Sequence, residues 1–199
     1  MKNQSWQMPA ALGLFAAAMT SRLYTPYAGS HLAWLQNFSP LAAICLCGAA
    51  YLPRKMAVAL PVAVLVISDL FLNAHYGQPL LSLGMLPNYI AFGLILGMGW
   101  MIRKHGRAWM VIPASLLGSA LFYLITNTGS WISNPVYSRS FAGWLQALTT
   151  GAPPYPPTWA FYRSTLVSDL LFTTVFVLCM AATASRAPVA EGRPATSAS

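Results

Sequence analysis

The chain has 199 residues, 57% of them hydrophobic and 7% charged, with a mean hydropathy of +0.56. A soluble domain carries about 25% charged residues, so eleven Lys/Arg and three acids are too few to clothe a globule of this size in water. At about 20 apolar residues per crossing, the composition fits about five or six membrane spans and leaves no room for an appended soluble domain. The formal charge of +8 does not indicate nucleic acid, because the basic residues stand singly or in small groups between apolar runs rather than clustered on a folded face.

The apolar runs give six candidate spans, at about residues 8–23, 39–52, 56–73, 86–102, 108–127 and 164–185. The first two are short for a hydrocarbon core of about 30 Å, which leaves open a partly re-entrant or interfacial placement. The runs are continuous rather than alternating, so they specify helices and not barrel strands. The expected fold is therefore all-α: a polytopic membrane protein with a single six-helix transmembrane domain over 1–185. The Pro-, Ala- and Ser-rich stretch 186–199 is expected to be a disordered cytoplasmic tail. No cleavable signal peptide is evident, since the first run continues as a plausible span.

Basic residues set the orientation. With the N-terminus inside, Lys2, Arg54, Lys55, Arg103, Lys104, Arg107, Arg186 and Arg193 are cytoplasmic, and Arg22, Arg139 and Arg163 lie outside. Both termini are then cytoplasmic. The outer connections 24–38, 74–85 and 128–163 are rich in Trp, Tyr and Pro. Two readings fit: an aromatic belt at the membrane surface, or an aromatic-lined pocket with a lid. Residues 140–150 suit a short helix lying on that surface, and Pro153-Pro154-Tyr155-Pro156-Pro157 suits a stiff extended connector.

Two acids lie within the spans, Asp69 and Asp169, each in a Ser-Asp-Leu string. An acid near the bilayer centre costs about 2.5–3.5 kcal/mol on insertion scales, so such a group faces the bundle interior and has a partner. The candidate partners are Arg163, Arg22, His75 and His31. One reading gathers Asp69, His75, Arg163 and Asp169 into a substrate-binding cluster, extended by Asn127, Trp131 and Tyr162. The other makes the acids structural, holding neighbouring helices. Asn73, Asn88 and Asn127 fall at outer span ends, where amides also cap helices. Gly13, Ala17 and Ser21 recur every four residues along the first span, a row that permits close helix approach. It serves either internal packing or docking of another membrane subunit. Gly93 with Gly97, and Ser115 with Ser119, form similar pairs.

Cys45, Cys47 and Cys179 sit in apolar runs and read as buried small hydrophobes, not as zinc ligands or a disulfide framework. HExxH, GxSxG, Walker and GxGxxG motifs are absent. No cofactor or metal is called for, no enzyme is expected, and any ATP-driven step needs another chain.

The strings Asn37-Phe38-Ser39-Pro40-Leu41-Ala42-Ala43, Gly48-Ala49-Ala50-Tyr51-Leu52 and Ser68-Asp69-Leu70-Phe71-Leu72 resemble an uncharacterised family of bacterial transport-type membrane proteins. Leu124-Ile125-Thr126-Asn127-Thr128-Gly129-Ser130-Trp131 and the stretch from Arg163 to Phe172 extend the resemblance. That family is similar in span layout to the substrate-binding S components of energy-coupling-factor (ECF) transporters. The resemblance implies a bacterial inner-membrane location, an outward pocket for a vitamin, a precursor or a metal, and a first helix that contacts a coupling subunit served by ATPases. It does not extend to thiolate ligation of cobalamin, because 69–89 holds no cysteine, nor to the N-terminal histidine cluster of nickel and cobalt S components. The resulting expectation is uptake of a small polar solute through a pocket walled by the outer loops. The alternatives are a membrane scaffold or assembly protein without a ligand, and a membrane enzyme using Asp69 and His75 as an acid/base pair.

Overall fold

Apolar runs that cannot hydrogen-bond to lipid close their own backbone bonds as helices, and all the regular secondary structure of the computed structural model is helical over the residues it describes, 7–24, 27, 38, 40–79, 83–106 and 108–185. The expected tail, His31 and most of the first outer connection fall outside those residues. Seven α-helices follow in chain order: α1 (Gln7–Tyr24), α2 (Leu41–Tyr51), α3 (Arg54–His75), α4 (Leu86–His105), α5 (Val111–Ser133), α6 (Phe141–Leu148) and α7 (Thr158–Ser185).

Among the described residues, four helical segments are long and apolar enough to cross a membrane: Arg54–His75, Leu83–His105, Val111–Ser133 and Thr158–Ala182, with mean hydropathies of 1.4 to 2.1. Only 22–33% of each is buried within the chain. The rest is apolar surface such as Val62, Ile67 and Phe71 of α3 or Leu94 and Met101 of α4, which a soluble monomer would not display on this scale. The fifth expected span runs further than anticipated, to Ser133, and the sixth begins earlier, at Thr158. The surface helix expected at 140–150 is α6. Ser140 caps it by accepting from Gly143 N at 3.2 Å, and α6 buries Gly143 and Ala147 while exposing Phe141 and Leu145.

The expected second span is different. α2 has 11 residues, about 16 Å at 1.5 Å per residue and roughly half of the hydrocarbon core. It does not cross, and it is the most buried helix. Leu41 through Ala49 are all buried, and α1, α3, α4, α5 and α7 pack around it. Its sequence explains this: LAAICLCGAAY has no charge and no polar face, and its Ala and Gly residues let neighbours approach. Pro53 then starts α3 after a two-residue link, so α2 and α3 run antiparallel.

Chain direction gives the bundle two ends. The start of α3 and the end of α4 carry Arg54, Lys55, Arg103 and Lys104, the basic end. The end of α3, the end of α5 and the start of α7 carry Tyr76, Trp131 and Trp159, the aromatic end. α2 begins midway and finishes toward the basic end.

One tight helix approach falls at a glycine not singled out by the four-residue rows. A Cβ on Gly99 of α4 would collide with the Leu46 carbonyl of α2 and lie 2.7 Å from Ala49 Cβ. Gly93 and Gly97, expected at a packing face, look onto open space, as does Gly13. Ser115 and Ser119 are buried as expected. Gly99→Ala is expected to destabilise the protein by about 1–3 kcal/mol through overpacking. Gly97→Ala should be neutral or stabilising by up to about 1 kcal/mol from helix propensity. Thermal unfolding in detergent, followed by tryptophan fluorescence, distinguishes the two.

Candidate functional site

The first turn of α2 lies inside the bundle, away from water. Helix geometry leaves its first amides without intrahelical acceptors, and the capping position is Pro40, which has no side-chain acceptor. The chain supplies one from another helix. Asp169 of α7, only 1% exposed, accepts from Ala43 N at 3.3 Å through Oδ1 and from Ser119 Oγ of α5 at 2.7 Å through Oδ2. A carboxylate at the positive end of a helix dipole is also favoured electrostatically. One turn along α7, Thr173 Oγ1 donates to Ser115 Oγ at 3.0 Å. The buried acid therefore ties α2, α5 and α7 together. Arg163, proposed as its partner, is exposed instead.

Asp69 takes the other candidate cation. Arg22, in the last turn of α1, places Nη2 2.6 Å from Asp69 Oδ1, and its Nε donates to Ser68 Oγ at 2.7 Å. Tyr89 of α4 donates its hydroxyl to Asp69 Oδ2 at 3.4 Å. The pair joins α1, α3 and α4 and is largely buried, with side-chain exposures of 18% and 10%. His75 does not join it. It is exposed at the aromatic end, where its ring lies 5.2 Å from Tyr27 and 5.0 Å from Tyr76.

Because α2 begins midway along the bundle, no helix among the described residues fills the space between its first turn and the aromatic end. A cavity of about 320 Å³ occupies it. Arg22, Leu41, Ala42, Asn88, Phe92, Phe122, Thr126 and Thr165 line it, drawn from α1, α2, α4, α5 and α7. A smaller space of about 100 Å³ adjoins it between α5 and α7, sharing Phe122, Thr126 and Thr165 and adding Asn127 and Tyr162. The described walls are helices rather than the outer loops.

The anticipated residues thus separate. Asn127 and Tyr162 reach the smaller space; Asn127 Nδ2 donates to Tyr123 O at 2.8 Å within its own helix, and the Tyr162 ring lies 4.6 Å from that of Tyr123. Asp69 acts on the main cavity through Arg22. Asp169 holds the turn of α2 that forms part of its wall. Trp131 stands further out, donating Nε1 to Ser138 O at 2.9 Å and packing against the cluster of Tyr137, Ala147 and Ala152 beneath α6. In the first-span row, Gly13 is exposed, whereas Ala17 and Ser21 are half-buried. Sequence reasoning counted Asn88 among the outer-end amides without placing it in the binding cluster, assigned no site role to Thr126 and Thr165, and named Arg22 only as a partner for an acid. Its position at the end of a span was the available signal.

This architecture is that of a multi-pass helical membrane protein with a polar-lined cavity between its helices. The chain belongs to a family of unknown function, DUF6580, whose sequence profile matches residues 2–190. No curated protein and no solved structure matches it.

Breaking either buried acid should be costly. Asp169→Ala is expected to destabilise by about 1–3 kcal/mol, because the buried Ala43 amide loses its acceptor, while Ser119 Oγ can still donate to Ser115 O within α5. Arg22→Met and Asp69→Leu should each destabilise by about 3–5 kcal/mol, while the double variant recovers most of that loss. Thermal melts of the three proteins complete the cycle.

Proposed function

We propose that this protein binds a small polar solute in the cavity above α2 and serves its uptake across the membrane. The supporting observation is a cavity of about 320 Å³ whose wall joins a guanidinium, an amide and two hydroxyls to two phenylalanine rings. Solute sites likewise join apolar walls to a few converging polar groups, and here the polar share is about half of the lining residues. Its size lies at the small end of ligand cavities, about 300–1,000 Å³. The amides of Leu41 and Ala42, at the start of α2, add donors that the helix itself does not use.

On this reading the aromatic end faces outward and the basic end inward, as the distribution of Lys and Arg favours. The protein acts as a binding subunit in the manner of ECF S components rather than as an enzyme. It holds no nucleotide-binding motif, so a separate subunit with ATPases energises it. That subunit docks along Gly13, Ala17 and Ser21 of α1. The open space at Gly13 supports this, since a helix can approach there closely.

Native mass spectrometry of the purified protein tests the reading through a co-purified small molecule. Asn88→Leu and Thr126→Val are expected to lower its occupancy at least about fivefold each, the effect of losing one buried hydrogen bond. Uptake in cells carrying Asp69→Asn should fall, because Arg22 loses its fixed position. A wild-type protein without bound solute, and uptake unchanged in all three variants, would overturn the reading.

A further inference from the structure

A second cavity lies at the opposite end of the bundle and is independent of the solute site. It measures about 510 Å³ and is lined by Arg54, Trp100, Arg103 and Lys104. Arg54 opens α3; the other three lie in the last two turns of α4. Arg103 Nη1 donates to Leu52 O at 2.5 Å, at the link between α2 and α3, which fixes one guanidinium at the cavity wall. All three cations are exposed.

These charges have no counter-charge among the described residues. The chain has three acids. Asp69 and Asp169 are engaged elsewhere, and Glu191 falls outside the described residues. Arg103 and Lys104 do complement the negative C-terminal end of the α4 dipole. Arg54 and Lys55 do the opposite: they stand in the first turn of α3, where the dipole is already positive and a cation is unfavourable. That arrangement is stabilised when an anion sits among them. The location says which kind. The cavity lies at the ends of two membrane-spanning helices, and Trp100, half-exposed beside the charges, is the residue type that settles at the headgroup level. Basic pockets between helix ends at this depth match acidic lipid headgroups.

We infer that the cleft formed by Arg54, Trp100, Arg103 and Lys104 binds the phosphodiester headgroup of an acidic phospholipid. The two arginines and the lysine neutralise the phosphate, α3 presents its first-turn amides, and Trp100 packs on the glycerol and upper acyl region. The bound lipid bridges α3 and α4 at the end where α2 also terminates.

The experiment uses the full chain in detergent, titrated with phosphatidylglycerol or phosphatidylcholine and read by native mass spectrometry. Phosphatidylglycerol is expected to be retained by the wild-type protein and phosphatidylcholine to be lost. Arg54→Gln/Lys104→Gln should lower phosphatidylglycerol affinity on the order of tenfold or more, the effect of removing two charges near a membrane surface. Arg103 is left intact because it also holds the α2–α3 link. The charge-matched Arg186→Gln/Arg193→Gln should bind as the wild type does, and the charge-retaining Arg54→Lys/Lys104→Arg should stay within about threefold of it. Equal retention of the two lipids, equal loss in both charge-removing variants, or displacement by millimolar inorganic phosphate would each overturn the assignment, the last because it marks a free-anion site.

Discussion

Lipid offers no hydrogen bonds, so a helix that begins inside a membrane bundle needs acceptors from its own protein for the amides of its first turn. α2 is such a helix, and Asp169 is such an acceptor. A proline at the capping position cannot provide the bond, and α7 provides it from 126 residues away in sequence. Both of its oxygens find donors there, Ser119 Oγ and the Ala43 amide, and the helix dipole favours negative charge at that point. The packing of the central five helices follows: α2 is held in place at its head by this bond and along its length by the close contact at Gly99.

A half-length helix also leaves space. Neighbouring helices continue past the start of α2 toward the aromatic end, and their side chains enclose a volume instead of meeting a sixth helix. Polar and apolar side chains share the lining of that volume. Arg22 can stand on its wall because Asp69 and Ser68 hold it. The ion pair neutralises a charge that would otherwise oppose burial, and it leaves the guanidinium fixed in direction. The two intramembrane acids therefore do related work. Asp169 supports the floor of the cavity and Asp69 supports its wall.

The ends of the bundle differ in electrostatics for the same reason of scarcity. With three acids in the chain, both membrane-embedded carboxylates are committed to interior partners. Among the described residues, the basic end keeps its positive charge uncompensated. A charge imbalance of this kind orients a chain in the bilayer, and it also attracts the acidic headgroups that lie at that surface.

Much of this was legible in the residues. Composition required a membrane, continuous apolar runs required helices, and the cost of burying an acid marked Asp69 and Asp169 as groups with partners inside the bundle. The short helix expected at 140–150 is present as α6. Which partner each acid takes was not legible: Arg163 is nearer to Asp169 in sequence, but it is exposed, and Arg22 reaches Asp69 from a different helix. The length of α2 suggested an incomplete crossing, yet its burial at the centre depended on how five other helices surround it. Local spacing fixes where a helix forms and which groups cannot face lipid. Only packing in three dimensions decides which distant side chains meet them, because those contacts join positions 46 to 126 residues apart, beyond the reach of any periodic pattern.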